Sequence, residues 1–121
     1  MDEGKPLFVQ IAEMVEDQIV DGTLREEEKA PSTNELAAFS RINPATAAKG
    51  VNMLVDNGIL YKRRGIGMFV SAGARERVLS DRRSAFAASY IAPLIAEARK
   101  IGLSPNDITQ LVNEHASHPT S

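Results

Sequence analysis

The sequence predicts a mainly α fold with one small β-hairpin, three helices standing before the hairpin and a two-helix segment after it. Three observations carry that prediction. Apolar residues recur at spacings of three and four in several stretches, the period of a helix with one buried face. Helix-start signals, such as Ser32 with Glu35 or Asn43 with Pro44, precede those stretches. One run, "ILYKRRGIGMFV", breaks the period, because two strand-like segments flank a glycine-containing turn.

Leu7, Phe8, Ile11, Val15, Ile19 and Val20 fall on one side of a first helix, which Gly22 should end. The stretch Arg25 to Lys29, with three successive glutamates, reads as an exposed connector rather than a metal site or acidic patch. In "PSTNELAAF", Ser32 and Glu35 have capping-box spacing, and Leu36 and Phe39 are expected to face inward. In "NPATAAKGVNMLVDNG", Asn43 caps a third helix, Pro44 takes its first position and Gly58 stops it. Ala47, Val51, Leu54 and Val55 form its expected buried stripe. The short joint between these helices fits a helix-turn-helix unit. With the hairpin at residues 59–71, the order is that of a winged helix-turn-helix.

From about residue 74 the helical period returns through Leu79, Phe86, Tyr90, Leu94, Ala98 and Ile101, and Pro93 should bend or interrupt that helix by removing one backbone donor. Ser104 and Asp107 repeat the capping box ahead of a last helix with Ile108, Leu111 and Val112 on one face. The expected division is a winged domain at 1–73, a helical dimerisation region at 74–115 and a disordered tail at 116–121.

A chain of 121 residues suffices for one domain and a short appendage. It contains no cysteine, which excludes disulfides and thiolate metal sites. The start, "MDEGKP", lacks the apolar segment of a signal peptide, and no apolar stretch approaches the ~18 residues of a membrane span, so a cytoplasmic protein is expected. The net charge of -2 hides a partition. Residues 1–30 hold 3 cations and 9 anions, residues 31–75 hold 6 and 2, and residues 76–121 hold 5 of each. A basic middle points to a polyanion or to an ordinary solvated surface. His115 and His118 are the only histidines and lack carboxylate or cysteine support, so no metal and no cofactor are expected. Nothing resembles a poised nucleophile or acid-base pair, which argues against an enzyme. The "GIG" stretch lacks the strand-to-helix context of a nucleotide loop.

The span from "PLFVQIAEMVEDQIVDG" through "APSTNELA" and "NPATAAKGVNMLVDNGIL" to "RRGIGMFV" resembles, motif by motif, the DNA-binding domain of the GntR family of bacterial transcription regulators. The resemblance covers residues 6–70. The "NPATA" element and the short C-terminal part are similar to the YtrA-type subfamily, whose members are dimers with a two-helix tail.

What the resemblance implies is a DNA reader. Its third helix would lie in the major groove, with Ala45, Thr46, Ala48, Lys49 and Asn52 outward and Asn43 and Thr46 donating to phosphates or bases. Ser32, Thr33 and Asn34 at the start of the second helix, and Arg41 after it, complete that contact set. Asn43 can be a cap and a contact at once. At the hairpin, Gly65 and Gly67 let the backbone approach closely, and Arg63 and Arg64 would enter the adjacent minor groove. Lys62 reads equally well as facing water. Relatives often carry arginine where this chain has Asn34, Pro44 and Ala48, a departure that bears on affinity and target sequence. The tail is too short to stabilise a core alone, so Leu79, Phe86, Tyr90, Leu94, Ile95, Ile108 and Leu111 are expected to divide between core and dimer interface. Tyr90 reads as plain packing or as the edge of a pocket for a small-molecule effector. The function implied is a homodimeric repressor on an inverted-repeat operator in double-stranded DNA. The alternative is a winged-helix module that docks on a protein.

Overall fold

The computed structural model describes residues 4–117. Its elements run α1 (Leu7–Asp21), α2 (Thr33–Ser40), α3 (Pro44–Asp56), β1 (Leu60–Arg63), β2 (Gly67–Val70), α4 (Ala74–Phe86), a π-helical turn (Ala87–Ile91), α5 (Ala92–Lys100) and α6 (Pro105–Ser117). They form two compact units, Met1–Asp81 and Arg82–Ser121.

In the first unit, α1 buries Ile11, Ala12, Val15 and Ile19, and α3 buries Ala47, Val51 and Leu54. The two helices meet at Gly50. A Cβ built there would stand 2.6 Å from the Phe8 carbonyl oxygen and 3.2 Å from Ile11 Cβ. Only a residue without a side chain permits so close a crossing. Val55, expected in the buried stripe, is half-buried and packs against the core from its edge.

The hairpin segment adds Ile59, Leu60 and Val70 to the core. Strands β1 and β2 pair antiparallel with Leu60 opposite Val70 and Arg63 opposite Gly67. The connector ahead of α2 adds a third strand segment. Ala30 donates to Met68 O at 2.8 Å, Val70 donates to Glu28 O at 2.9 Å, and Lys29 sits opposite Phe69. The core also takes Ala74 and Val78 from α4, so it extends beyond the expected 73/74 boundary.

One inward assignment fails. Leu36 is buried as expected, but Phe39 is 80 % exposed. The cause is the turn that follows: Arg41 adopts the left-handed conformation at φ 55, and Ile42 N–H reaches back to Ala37 O at 3.0 Å. This is the six-to-one closure of a Schellman turn, whose apolar residue after the turn packs back on the helix. Ile42 therefore takes the core contact that the spacing assigned to Phe39.

In the second unit, Pro93 cannot donate, and the helix answers with a π-helical turn at Ala87–Ile91, with Ala92 N–H bonded to Ala87 O. Asp107 and Ser104 cap α6 reciprocally, Ser104 N–H donating to the carboxylate at 2.9 Å and Asp107 N–H to the hydroxyl at 3.1 Å. Helix α6 continues through Ser117; residues 118–121 of the expected tail lie outside the described residues. Ala98 is the only buried side chain described in this unit.

Gly50→Ala sets two known effects against each other. Alanine in a helix interior is favoured over glycine by about 1 kcal/mol. Overpacking a tight contact costs roughly 1–3 kcal/mol, and here the obstacle is a backbone oxygen that cannot move cheaply. The expected outcome is a lower urea midpoint than wild type.

Candidate nucleic-acid interface

Helix α3 begins with its own cap. Asn43 Oδ1 accepts from Ala45 N–H at 2.7 Å, and Pro44 fills the first turn. Asn43, Ala45 and Lys49 are exposed, and Thr46 and Ala48 are half-buried. The Lys49 ammonium rests 4.1 Å from the centroid of the Phe8 ring. Phe8 thus braces α3 twice, through its carbonyl at Gly50 and its ring at Lys49.

At α2, Ser32 Oγ accepts from Glu35 N–H at 3.1 Å, and the Glu35 carboxylate accepts from Ser32 N–H at 3.0 Å. These bonds, the backbone one first, hold the Glu35 carboxyl below its ordinary value, and nearby Lys29 adds to the effect. A depressed carboxyl stabilises the fold above the usual carboxylate range, and that stability is lost as pH falls through the folded value. Ser32, Asn34 and Arg41 are exposed and Thr33 is half-buried. Arg41 is one of two described non-glycine residues at positive φ, the other being Glu27.

The wing is a tight turn. Ile66 N–H donates to Arg63 O at 2.9 Å, Gly65 lies at φ 77 and Gly67 at φ 139. Positive φ at the third turn position is the type II pattern, which glycine adopts without strain. Arg64 and Gly65 form the exposed tip beside Ile66. Arg63 is stacked rather than free, its guanidinium carbon 4.9 Å from the Phe69 centroid. Phe69 in turn faces Tyr61 with ring centroids 6.0 Å apart. The Tyr61 hydroxyl donates to Glu27 at 2.7 Å, and this bond raises the phenol above its ordinary value.

The acidic connector is exposed, as expected, and its carboxylates also accept from the fold's own donors. Glu26 accepts from Gly73 N–H, Glu27 from Tyr61, and Glu28 from Arg25 N–H at 2.6 Å. The Glu28 bond is local, but those of Glu26 and Glu27, like the contacts of Phe8, Gly50 and Phe69, escaped sequence reasoning because each depends on a partner far along the chain or on a helix crossing.

In the tail, Phe86, Tyr90 and Leu94 are exposed, as is Leu111, while Leu79, Ile95 and Ile108 are half-buried. Tyr90 packs on Phe86 at 5.5 Å between centroids. A cleft of about 220 Å³ lies instead between α5 and α6, lined by Leu94, Ala98, Ile101, Ile108, Leu111 and Val112 among others. His115 Nδ1 is 3.0 Å from Leu111 O, and His118 lies outside the described residues. Among the described residues no three potential metal ligands cluster, and no helix is long and apolar enough to cross a membrane.

A capped helix-turn-helix followed by a glycine-tipped basic hairpin defines the class of winged helix-turn-helix regulators. The chain belongs to the GntR family, residues 7–70 matching the family of bacterial regulatory proteins of that name. It is similar to the transcriptional repressor YtrA of Bacillus subtilis, with 26 % identity covering 90 % of this chain and 83 % of YtrA. To the repressor NagR of the same organism it is 35 % identical, over 61 % of this chain and 30 % of NagR. Among solved structures, a GntR-family regulator from Bacteroides thetaiotaomicron superimposes with a TM-score of 0.81 at 27 % identity, covering 95 % of this chain and all of that one (100 %). The DNA-binding domain of AraR in complex with its operator ORX1 gives 0.54 at 30 % identity, over 59 % of this chain and 87 % of that one. The family and these relatives are transcription regulators, not enzymes.

Arg41→Gly separates stability from binding. Relieving a left-handed side chain gains about 1–2 kcal/mol, and the greater chain entropy of unfolded glycine returns roughly 0.5–1. The expected result is a fold about 1 kcal/mol more stable by urea denaturation that binds duplex DNA more weakly by fluorescence anisotropy.

Proposed function

We propose that the chain is a homodimeric repressor that binds an inverted-repeat operator in double-stranded DNA, in the cytoplasm. The α3 start and the wing are its reading elements. Asn43, Ala45, Thr46 and Lys49 would face the major groove, with Ser32, Thr33, Asn34 and Arg41 on the flanking backbone and Arg63, Arg64, Gly65 and Gly67 at the minor groove. In support, two of its relatives are named as repressors, and AraR, a similar protein, was solved on operator DNA.

The observation that carries the dimer is the tail's own surface. Phe86 is 55 %, Tyr90 65 % and Ile101 61 % exposed in a unit with little buried core of its own. A second copy would cover these faces and Leu79, Leu94, Ile95, Ile108 and Leu111 by two-fold pairing. Two heads on one duplex then bind as a linked pair, which raises affinity by roughly 10²–10⁴ over one head.

Sedimentation of the full chain at micromolar concentration is expected to give a dimer. Tyr90→Asp with Leu111→Asp should give monomers that lose roughly a hundredfold or more in affinity for a selected inverted repeat. Their affinity for a single half-site should be unchanged. A protein-docking module would instead shift no duplex in a gel.

A further inference from the structure

We propose that Lys29 and Arg63 form a two-pronged clamp for one DNA backbone phosphate on the outer face of the wing, a site that the basic run Lys62 to Arg64 alone does not contain. The proposal rests on the DNA-reading function above and names a residue that function did not include.

Lys29 lies directly opposite Phe69, and the hydrogen bonds on either side of the pair run from Ala30 to Met68 and from Val70 to Glu28. That pattern makes it a non-hydrogen-bonded pair, the kind whose side chains stand closest on one face. Phe69 is also opposite Tyr61, and Arg63 is opposite Gly67, so Lys29, Phe69, Tyr61, Arg63 and Gly67 share that face. Leu60, Val70 and Ala30 occupy the other, buried one.

Two cations converge at Gly67. Arg63 borders it as its register partner and is steadied on the Phe69 ring. Lys29 crosses it, with Cε 2.9 Å and Nζ 3.8 Å from where a Cβ would stand. The bare glycine is what lets the lysine stem lie there.

Two carboxylates stand nearby without pairing to either cation, although Glu35 feels the Lys29 charge at longer range. Glu27 is held by the Tyr61 hydroxyl and Glu35 by the Ser32 cap. Among the described residues neither Lys29 nor Arg63 has a carboxylate in salt-bridge range. Like charges gathered on one sheet face repel, and a phosphate between them would reverse that sign. A stacked guanidinium keeps its donor edges available for such an anion. Lys29 also lies near the α2 start, so the clamp would carry the positive edge from the wing toward Ser32 and Asn34.

The test is the salt dependence of binding by the full chain to a fluorescein-labelled random-sequence duplex, which reads phosphate contacts without base readout. Lys29→Met keeps the stem over Gly67 and removes the charge. It is expected to lower the slope of log affinity against log potassium chloride by about 0.9 per bound protomer. Lys29→Arg should restore the slope. The Lys29→Met, Arg63→Met double variant should lose no more slope than either single variant, because the one phosphate is held only while both prongs are in place. An unchanged slope in Lys29→Met, whether or not its melting temperature falls, overturns the clamp. So does a double variant whose loss equals the two single losses together, since each cation would then meet its own phosphate. A wild-type slope near zero would instead defeat the DNA-reading function beneath it.

Discussion

The close crossing of α1 and α3 at Gly50 is the constraint on which the head depends. With the Phe8 carbonyl 2.6 Å from any would-be Cβ, α3 is held at a backbone-to-backbone contact rather than across a layer of side chains. The same phenylalanine presents its ring to Lys49, so the depth of α3 and the direction of its basic residue are set together. Ala47, Val51 and Leu54 then face the α1 stripe, and the exposed positions of α3 follow from helical period alone.

A second layer of constraint aims the wing. The connector between α1 and α2 pairs with β2, and its glutamates are spent on Gly73, Tyr61 and Arg25. The bonds of Glu27 and Glu26 tie the connector to the hairpin on one side and to the start of α4 on the other, and that of Glu28 closes the connector on itself. Arg75 Nε adds a bond to Val20 O at the end of α1. Hydrogen bonds from the neutral donors of Gly73, Tyr61 and the Arg25 backbone fix where the connector's carboxylates point without cancelling their charge. The strain tolerated at Arg41 and Glu27, both at positive φ, lies at the two ends of the segment carrying α2.

Local chemistry was legible in the sequence. Both capping boxes, the Asn43–Pro44 start and the glycine turn at the wing appear where their residue types and spacing place them. Non-local chemistry was not. Nothing in "REEEK" shows that Lys29 pairs with Phe69 some forty residues on. Period alone could not separate Phe39 from Ile42, because the deciding feature is a left-handed turn at an arginine, where glycine is the usual signal. Pro93 foretold an interruption but not its π-helical form. The tail's apolar stripe was readable from its period, and Phe86, Tyr90 and Leu111 on it stand exposed.

The central claim is that α3 and the wing face one duplex and enter neighbouring grooves. The chain has no cysteine, so Ala45→Cys and Ile66→Cys each give a unique attachment point for a DNA-cleaving iron chelate. On a selected operator, the probe at 45 should cut within each half-site and the probe at 66 just beside it, on the minor-groove side. Cleavage from neither position, on an operator the labelled proteins still bind, would contradict the account.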